Sequence, residues 1–320
     1  MMAGGGAPAR FVGRERELEA VIDAVASAGA GRAGTVLVEG SSGMGASRVI
    51  AEAVARLAAG DAGLPDVAVL WAGGLPAWRG EPYAPFRAAL ERFLANREPA
   101  AVARLLGPGA ELLLPLLPGV AARLPDLPQG PASRERLAER TNEAVRSLFV
   151  RLAAETPVVV VAEDIHALDA ASRSFLAFLA RTFGGHPIAI VGSYQPDALG
   201  RGHPLRTTLD AIDAGPRPAL RVPLAPLDRA ALRHLIAVHE GGAPSAPVLL
   251  LVADRSGGNP LVAEEILAAR RELTGASLTV PLEQLVVSRA ARRSPECRRV
   301  LRILAVADGP LLPTQMAAVA

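Results

Sequence analysis

The sequence contains no lysine, so all 34 of its basic residues are arginine. Its one cysteine, Cys297, excludes an internal disulfide framework. Aromatic residues make up only 3% of the chain, so the core must consist mostly of aliphatic side chains. No apolar run reaches the ~18 residues that a membrane-spanning helix needs, and the N-terminus lacks the apolar stretch of a signal peptide. These absences predict a cytoplasmic protein with no membrane contact.

The charge balance does not indicate a nucleic-acid-binding protein. The 34 arginines face 32 acidic residues, which gives a net charge of +2. Few groups titrate between neutral pH and about pH 9 when lysine is missing, so a small excess of arginine holds the isoelectric point at 9.3. A broad basic field for DNA is therefore not supported.

The order of hydrophobic segments predicts the fold. Five short apolar runs have the character of buried strands, at 35–39, 67–71, 157–162, 187–192 and 221–224. Helical patterns separate the first four of them, and this alternation predicts a parallel sheet with helices on both faces. After Leu224 only helical patterns follow. We therefore predict a flexible tail over 1–10, a P-loop NTPase α/β domain over 11–220, an all-helical lid domain over 221–280, and the start of a winged-helix-like or linker segment over 281–320.

A glycine-rich loop joins the first predicted strand to a helix. It contains Gly40, Ser41, Ser42, Gly43, Met44, Gly45, Ala46 and Ser47. This is the phosphate-loop pattern G-x-x-x-x-G-K-[ST] at every fixed position except the lysine, which is Ala46. The backbone N–H groups and the helix N-terminus would hold phosphates, and Ser47 would ligate Mg²⁺. The alternative interpretation is a simple turn.

The missing lysine is expected to weaken phosphate binding by an amount that can be stated. One lost charge-assisted hydrogen bond corresponds to roughly 1.5–3 kcal/mol. Arg48 is the nearest cation in the sequence. Two residues along a helix correspond to about 200° around its axis, so we expect Arg48 to point away from the loop.

Two acidic residues follow the valine run of the third predicted strand. Glu163 and Asp164 stand at its carboxyl end, the edge where open α/β sheets place their active sites. This is a Walker B pattern, in which one acid holds Mg²⁺ and the next orients and deprotonates water. We assign Glu163 to the metal and Asp164 to the base, although the reverse order stays open. A strand-end acidic turn is the alternative.

These motifs occur in the order of a known family. The additional segments are Phe11-Val12-Gly13-Arg14-Glu15, Pro82-Tyr83-Ala84-Pro85-Phe86, Gly192-Ser193-Tyr194-Gln195-Pro196 and Gly257-Gly258-Asn259-Pro260-Leu261. The chain resembles the AAA-like ATPase domain of STAND NTPases, and most of all that of the large ATP-binding LuxR-type transcriptional regulators. The resemblance covers roughly residues 11–305.

The resemblance implies a nucleotide site for ATP or ADP with Mg²⁺. Val12, Gly13 and Arg14 would lie near adenine and ribose, and 40–47 would wrap the phosphates, with Arg48 as the cation that follows them in the sequence. Gln195 stands at the γ-phosphate sensor position, and Pro260 would touch adenine and couple the nucleotide state to the domain angle. Relatives usually carry lysine at the position of Ala46 and arginine at that of Gln195. Two lost cations indicate weak or absent hydrolysis.

Three functional hypotheses follow. The first is a nucleotide-dependent regulatory switch that binds ATP or ADP but hardly turns it over. The second is an active ATPase in which an arginine replaces the lysine, and the third is an interaction scaffold that has kept the fold without binding. Candidate partners are a small-molecule or protein inducer and a second copy of the chain. DNA would be bound only through a region outside this sequence.

Overall fold

The computed structural model describes most of the chain. The described residues are 11–29, 31, 34–60, 67–73, 82–127, 137–272, 287, 290–291 and 293–306. They divide into two compact units: one contains 17–39 and 46–223, and the other contains the N-terminal residues to Arg16, 40–45, and the chain from Leu224. We call them the sheet unit and the helical unit.

The sheet unit is built on five parallel strands. They are β1 (Gly34–Glu39), β2 (Ala68–Gly73), β3 (Val158–Glu163), β4 (Ile188–Tyr194) and β5 (Leu220–Pro223), in the spatial order β2-β3-β4-β1-β5. Every neighbouring pair is parallel. All five strands that the hydrophobic runs predict are present, and the predicted P-loop NTPase fold is confirmed.

The burial of the interior strands β3 and β4 explains why their sequences lack polar alternation. Every residue of β4 is buried, as are the first five residues of β3. Successive residues of a strand point to opposite faces, so both faces of the sheet are covered here. Gly192 in β4 allows close packing, because a Cβ at this position would lie 2.7 Å from Leu37.

Helices connect and cover the strands of the sheet unit. They are α1 (Glu15–Gly29), α2 (Ala46–Ala58), α3 (Ala84–Ala95), α4 (Pro99–Leu106), α5 (Ala110–Leu113), α6 (Pro118–Ala121), α7 (Leu137–Glu155), α8 (Ala170–Thr182) and α9 (Leu205–Asp213). The proline- and glycine-rich composition of 107–133 predicts an irregular, partly helical segment. Its residues 107–121 consist of short helical turns.

Helix α9 is absent from the sequence prediction. Its pattern was nevertheless readable, because Leu205, Leu209 and Ile212 recur at helical spacing and are all buried. The apolar spacing of residues 11–28 predicts a helix that begins at Phe11, but α1 begins four residues later, at Glu15. The reason is Gly13, whose φ of 72° is incompatible with a continuous helix.

The helical unit contains α10 (Arg229–Glu240), α11 (Ala246–Ser256), α12 (Pro260–Glu272) and α13 (Pro295–Val306). Its core consists of aliphatic side chains from α10 to α12, including Leu232, Ile236, Val252 and Leu267, together with Val12 from the N-terminal segment. The apolar pattern of 282–291 also predicts a helix, but this range lies largely outside the described residues. No helix in the described part of the chain is long and apolar enough to cross a membrane.

Candidate nucleotide-binding site

The glycine-rich loop adopts a compact backbone turn. The N–H of Met44 donates to the carbonyl of Ser41 at 3.1 Å. Gly43 and Gly45 have φ values of 82° and 94°, a region that favours glycine. Ser41 and Ser42 are exposed, whereas Met44 is buried. The loop therefore has the left-handed residues that a phosphate-binding turn requires, at the positions where the sequence places glycine.

Asn259 of the helical unit holds this loop. Its side-chain Nδ2 donates to the carbonyl of Ser42 at 2.9 Å, and its Oδ1 accepts from the N–H of Val262 at 3.3 Å. The second bond caps the N-terminus of α12. The N–H of Leu261 also donates to the carbonyl of Gly43 at 3.3 Å. One side chain thus connects the loop with the first turn of α12.

Little space separates the loop from Asn259. A Cβ at Gly43 would lie 2.7 Å from Oδ1 of Asn259 and 3.0 Å from Cβ of Leu261. Gly258, with a φ of 83°, is also sterically required, since a Cβ there would lie 2.7 Å from the carbonyl oxygen of Leu227. Pro260 is half-buried and begins α12 directly after Asn259.

The N-terminal residues Val12, Gly13 and Arg14 lie within the helical unit. Val12 belongs to its core, and a Cβ on Gly13 would lie 2.6 Å from Cβ of Ala231 in α10. Arg14 is buried, with 6% of its surface exposed. Its guanidinium Nη2 donates to the carbonyl of Ala225 at 2.5 Å and to that of Met44 at 3.4 Å. A buried arginine therefore contacts the backbone of the glycine-rich loop.

Helix α2 begins at Ala46, immediately after the loop. Ala46 is half-buried and Ser47 is exposed. Arg48 has 47% of its side chain exposed and lies 4.0 Å from the Glu52 carboxylate, one turn along the same helix. A pair this exposed contributes little to stability.

Glu163 stands at the carboxyl end of β3. Its Oε2 accepts a 2.6 Å hydrogen bond from the indole Nε1 of Trp71, a residue of the neighbouring strand β2. Its Oε1 is buried and has no hydrogen-bond partner among the described residues. The carboxylate is thus oriented through one oxygen, while the other keeps its capacity to accept.

Asp164 has an unusual backbone conformation. Its φ of 49° and ψ of 47° place it in the left-handed region, which costs a residue other than glycine about 1–3 kcal/mol. Its N–H donates to the hydroxyl of buried Ser193 on β4 at 3.1 Å. Non-glycine residues in this region concentrate at functional sites, where surrounding contacts fix a side-chain direction.

His166 follows in the short helical turn 165–167. Its Nδ1 is buried without a hydrogen-bond partner in the described part of the chain. Burial lowers the pKa of His166, the nearby Asp164 acts in the opposite direction, and His203 lowers it further. The imidazole is therefore biased towards its neutral form.

Gln195 is half-buried and directly follows β4. The residue before it, Tyr194, lies in a polar cluster at the same edge of the sheet. Its hydroxyl donates to Oε1 of Glu39 at 2.5 Å and accepts from Nη1 of Arg221 at 2.9 Å. The pKa of Tyr194 is raised to about 12, first by burial and then by the hydrogen bond to Glu39, while Arg221 lowers it. Arg221 also binds Asp213 at 2.6 Å.

The chemistry of Glu163 fits a magnesium ion. Mg²⁺ prefers carboxylate and hydroxyl oxygens and usually keeps several waters and substrate phosphates as ligands. The buried oxygen of Glu163 has the capacity to bind such an ion or one of its waters. No cluster of three or more His, Cys, Asp or Glu side chains suited to a metal occurs among the described residues. A site of this kind would therefore need a phosphate ligand to be complete.

The described residues thus form two groups within their respective units. The helical unit brings together Arg14, the loop 40–45 and the turn at Pro260. The sheet unit places Glu163 and Asp164 at the end of β3. Sequence reasoning missed Trp71 and the role of Asn259. An asparagine directly before a helix-opening proline is a helix N-terminus signature and could have indicated the cap, but not the bond to Ser42.

Comparison with known sequences identifies the family. The sequence signature of the AAA ATPase domain matches residues 10–191, which is more than half of the chain, and the protein belongs to this family. The matched region includes the glycine-rich loop, Glu163 and Asp164. No curated protein matches the chain.

Solved structures share the fold at low sequence identity. The Walker-type ATPase of Pyrococcus abyssi has a TM-score of 0.53 and 10% identity, with 99% of this chain and 91% of that chain covered. A Signal Transduction ATPase with Numerous Domains (STAND) protein with a tetratricopeptide repeat sensor, from Pyrococcus horikoshii, has a TM-score of 0.51 and 15% identity. The match covers 96% of this chain but only 36% of that protein. The Aeropyrum pernix ORC1 protein, solved in complex with DNA, has a TM-score of 0.50 and 17% identity, with coverages of 97% and 77%.

Proposed function

We propose that this AAA ATPase-family chain is a regulatory module that binds ATP or ADP with Mg²⁺ and hydrolyses ATP weakly or not at all. The observation that carries the proposal is the glycine-rich loop, which keeps its left-handed glycines while Ala46 replaces the lysine. Backbone N–H groups and the N-terminus of α2 then supply the attraction for phosphate. The cation that normally stabilises charge on the transferred phosphate is missing at that position.

A switching role is supported by the contact of Asn259 with the loop. Its amide group connects the carbonyl of Ser42 with the N-terminus of α12. A phosphate that changes the loop conformation would strain or break this hydrogen bond. The nucleotide state would therefore be transmitted to α12, in keeping with a coupling role for the adjacent Pro260.

The finer assignments belong to the same proposal. Glu163 holds Mg²⁺ and Asp164 orients water. Gln195 contacts the γ-phosphate and binds it more weakly than the arginine of relatives would. The domain boundaries at 220 and 280 stand as predictions. The parent protein is proposed to be a LuxR-type transcriptional regulator of the STAND group, with an inducer as its signal, self-association as its response, and DNA bound through another region.

The decisive experiment compares the unmodified chain with Ala46→Lys and Ala46→Met. Methionine extends the side chain without adding charge and is the matched control. We expect lysine alone to tighten ATP binding by about 10- to 100-fold, the equivalent of one charge-assisted hydrogen bond. Calorimetry measures the affinity and phosphate release measures the turnover. Robust turnover by the unmodified chain would refute the proposal. Absence of any ATP or ADP binding, with Mg²⁺ at millimolar concentration, would favour the scaffold hypothesis.

One observation favours a second candidate, an ATPase that uses an arginine in place of the lysine. Arg14 is buried and donates to the loop at Met44. If this guanidinium serves the phosphates, the unmodified chain hydrolyses ATP at steady state. Asp164→Asn and Arg14→Met would then each reduce turnover by at least tenfold, while Arg48→Met would leave it unchanged.

A further inference from the structure

The carboxyl end of β4 leads into Gln195, the residue at the γ-phosphate sensor position. The pairing of β4 with β3 ends at Gly192, whereas its pairing with β1 continues to Tyr194, which lies opposite Glu39. On the β3 side, the last two residues of the strand therefore lie beyond the paired stretch. Both of them, Ser193 and Tyr194, are buried.

Ser193 contacts the acidic turn that follows β3. Its hydroxyl accepts a 3.1 Å hydrogen bond from the N–H of Asp164, whose backbone stands in the left-handed region. The strength of such a bond depends on the direction of the peptide N–H. The contact therefore favours the backbone conformation that Asp164 adopts and connects it with the end of β4.

Tyr194 contacts the strand that leads into the glycine-rich loop. Its hydroxyl donates to Oε1 of Glu39 at 2.5 Å and accepts from Nη1 of Arg221 on β5 at 2.9 Å. A tyrosine hydroxyl has one proton, and since the arginine is itself a donor, that proton is directed at the carboxylate. Arg221 is fixed in turn by Asp213 at 2.6 Å. Tyr194 thus joins the end of β4 to the last residue of β1, which directly precedes Gly40.

Successive residues of a strand point to opposite faces of the sheet. Ser193 and Tyr194 therefore hold the end of β4 from both faces, one through the acidic turn and the other through β1. We propose that Ser193 and Tyr194 are positioning residues of the nucleotide site, which fix Gln195 relative to the acidic turn and to the end of β1. In this role neither side chain contacts the nucleotide itself. Their effect on ATP rests on the proposed function, in which Gln195 contacts the γ-phosphate.

A positioning role and a purely structural role have different consequences. Loss of a contact that only stabilises the sheet would lower stability and would affect ATP and ADP alike. Loss of a contact that places Gln195 would affect the γ-phosphate, which ATP carries and ADP lacks. The difference between the two nucleotides is therefore the quantity that distinguishes the two roles.

The experiment measures the affinity of the full chain for ADP and for a nonhydrolysable ATP analogue, each with Mg²⁺, by calorimetry. Tyr194→Phe removes the hydroxyl and keeps the ring. We expect it to weaken binding of the ATP analogue by about 3- to 10-fold, the equivalent of one hydrogen bond, and to change ADP binding by less than about twofold. The chain has two tyrosines, so Tyr83→Phe is the matched control and should change neither affinity.

A double-mutant cycle tests the link between Tyr194 and Gln195. Gln195→Ala should weaken binding of the ATP analogue in the unmodified chain and should have no further effect in Tyr194→Phe. Additive losses, or equal losses for ADP and the ATP analogue in Tyr194→Phe, would overturn the proposal. The proposal would also be wrong if Gln195→Ala had no effect on the unmodified chain, since no γ-phosphate contact would then exist to be positioned.

Crystal structures without nucleotide provide a measurement that does not depend on the nucleotide site. In Ser193→Ala we expect Asp164 to leave the left-handed region, and in Tyr194→Phe we expect the backbone of Gln195 to shift. Thr35→Val removes a buried hydroxyl near the opposite end of β1 and should change neither. Unchanged backbones in both variants would refute the positioning role. If the unmodified chain bound neither nucleotide, the proposed function would fail, while these structures would still decide whether the two side chains fix their neighbours.

Discussion

The indole nitrogen of Trp71 on β2 donates a 2.6 Å hydrogen bond to Oε2 of Glu163 at the end of the neighbouring strand β3. In the register of the two strands, Glu163 lies opposite Gly73, two residues beyond Trp71. The indole therefore reaches diagonally to the strand end. It restricts the rotation of the carboxylate and leaves the buried Oε1 without a hydrogen-bond partner among the described residues. In the proposed function this oxygen binds the cation or one of its waters.

The first prediction concerns Trp71→Phe. Phenylalanine keeps an aromatic ring on β2 but cannot donate to Glu163, and a hydrogen bond to a charged group contributes about 1.5–3 kcal/mol. We expect the Mg²⁺-dependent part of nucleotide affinity to fall by roughly tenfold, while affinity in the presence of a chelator stays the same. Calorimetric titrations of ATP with and without Mg²⁺ measure both quantities. An equal loss in both titrations would show that Trp71 acts on the fold and not on the metal ligand.

The second prediction separates the two hydrogen bonds of Asn259. Asn259→Ser keeps a side-chain oxygen that can cap α12 but loses the amide that reaches Ser42. Serine and asparagine are comparable caps, so we expect the free energy of unfolding to stay within about 0.5 kcal/mol. Nucleotide should no longer change the amide hydrogen exchange of α12.

Asn259→Ala is the matched variant, since it loses both bonds. It should cost about 1 kcal/mol of stability in addition to the loss of coupling. Nucleotide-dependent protection of α12 that persists in both variants would contradict a coupling role for this side chain.

The third prediction compares two glycines of the same loop. Gly43→Ala and Gly45→Ala both place a Cβ on a residue with positive φ, which costs roughly 1–2 kcal/mol. Only the Cβ at Gly43 meets a neighbour, Oδ1 of Asn259 at 2.7 Å, whereas nothing lies within 4 Å of the one at Gly45. Urea unfolding should therefore show the larger loss for Gly43→Ala. Equal losses would mean that Asn259 does not hold the loop in solution.

The fourth prediction concerns alkaline pH. Burial and the hydrogen bond to Glu39 raise the pKa of Tyr194 to about 12, above the value of about 10 in an unfolded chain. The stabilisation by neutral Tyr194 is therefore complete below about pH 10 and is lost as the pH rises towards 12. The free energy of unfolding should decline over this range, and Tyr194→Phe should decline less.

Absorbance of the phenolate provides an independent measurement. The chain has two tyrosines, and burial followed by Asp169 also raises the pKa of Tyr83. The titration is therefore best carried out in a Tyr83→Phe background. A midpoint near pH 10 for the folded variant, the value of a free tyrosine, would contradict the buried cluster around Tyr194.

Much of the sheet could be predicted from local sequence. The run Val158–Val161 and the apolar residues of β4 lack polar alternation, which is typical of strands buried on both faces. The glycine spacing of the loop also has a local cause, because Gly43 and Gly45 need positive φ whatever surrounds them. Helix α9 could have been found in the same way from the spacing of its leucines. These features depend on the preferences of neighbouring residues in the chain.

The functional contacts have a different origin. Trp71 and Glu163 are 92 residues apart in the chain, and Ser42 and Asn259 are 217 residues apart. No local pattern encodes such pairs, since they arise when strand register and helix packing bring distant side chains within hydrogen-bond distance. From the sequence alone, Trp71 could occupy the core, an interface or a ligand contact, and nothing in its neighbours selects Glu163 as its partner.

The sequence by itself determined the alternation of strands and helices, the glycine-rich loop with Ala46 at the lysine position of the phosphate-loop pattern, and the acidic pair at a strand end. Each of these follows from the type and spacing of residues along the chain. Only the tertiary structure decided that Trp71 orients Glu163 and that Asn259 ties the loop to α12. The reason is physical: hydrogen bonding and burial depend on which surfaces meet after folding, and packing selects those surfaces over the whole unit.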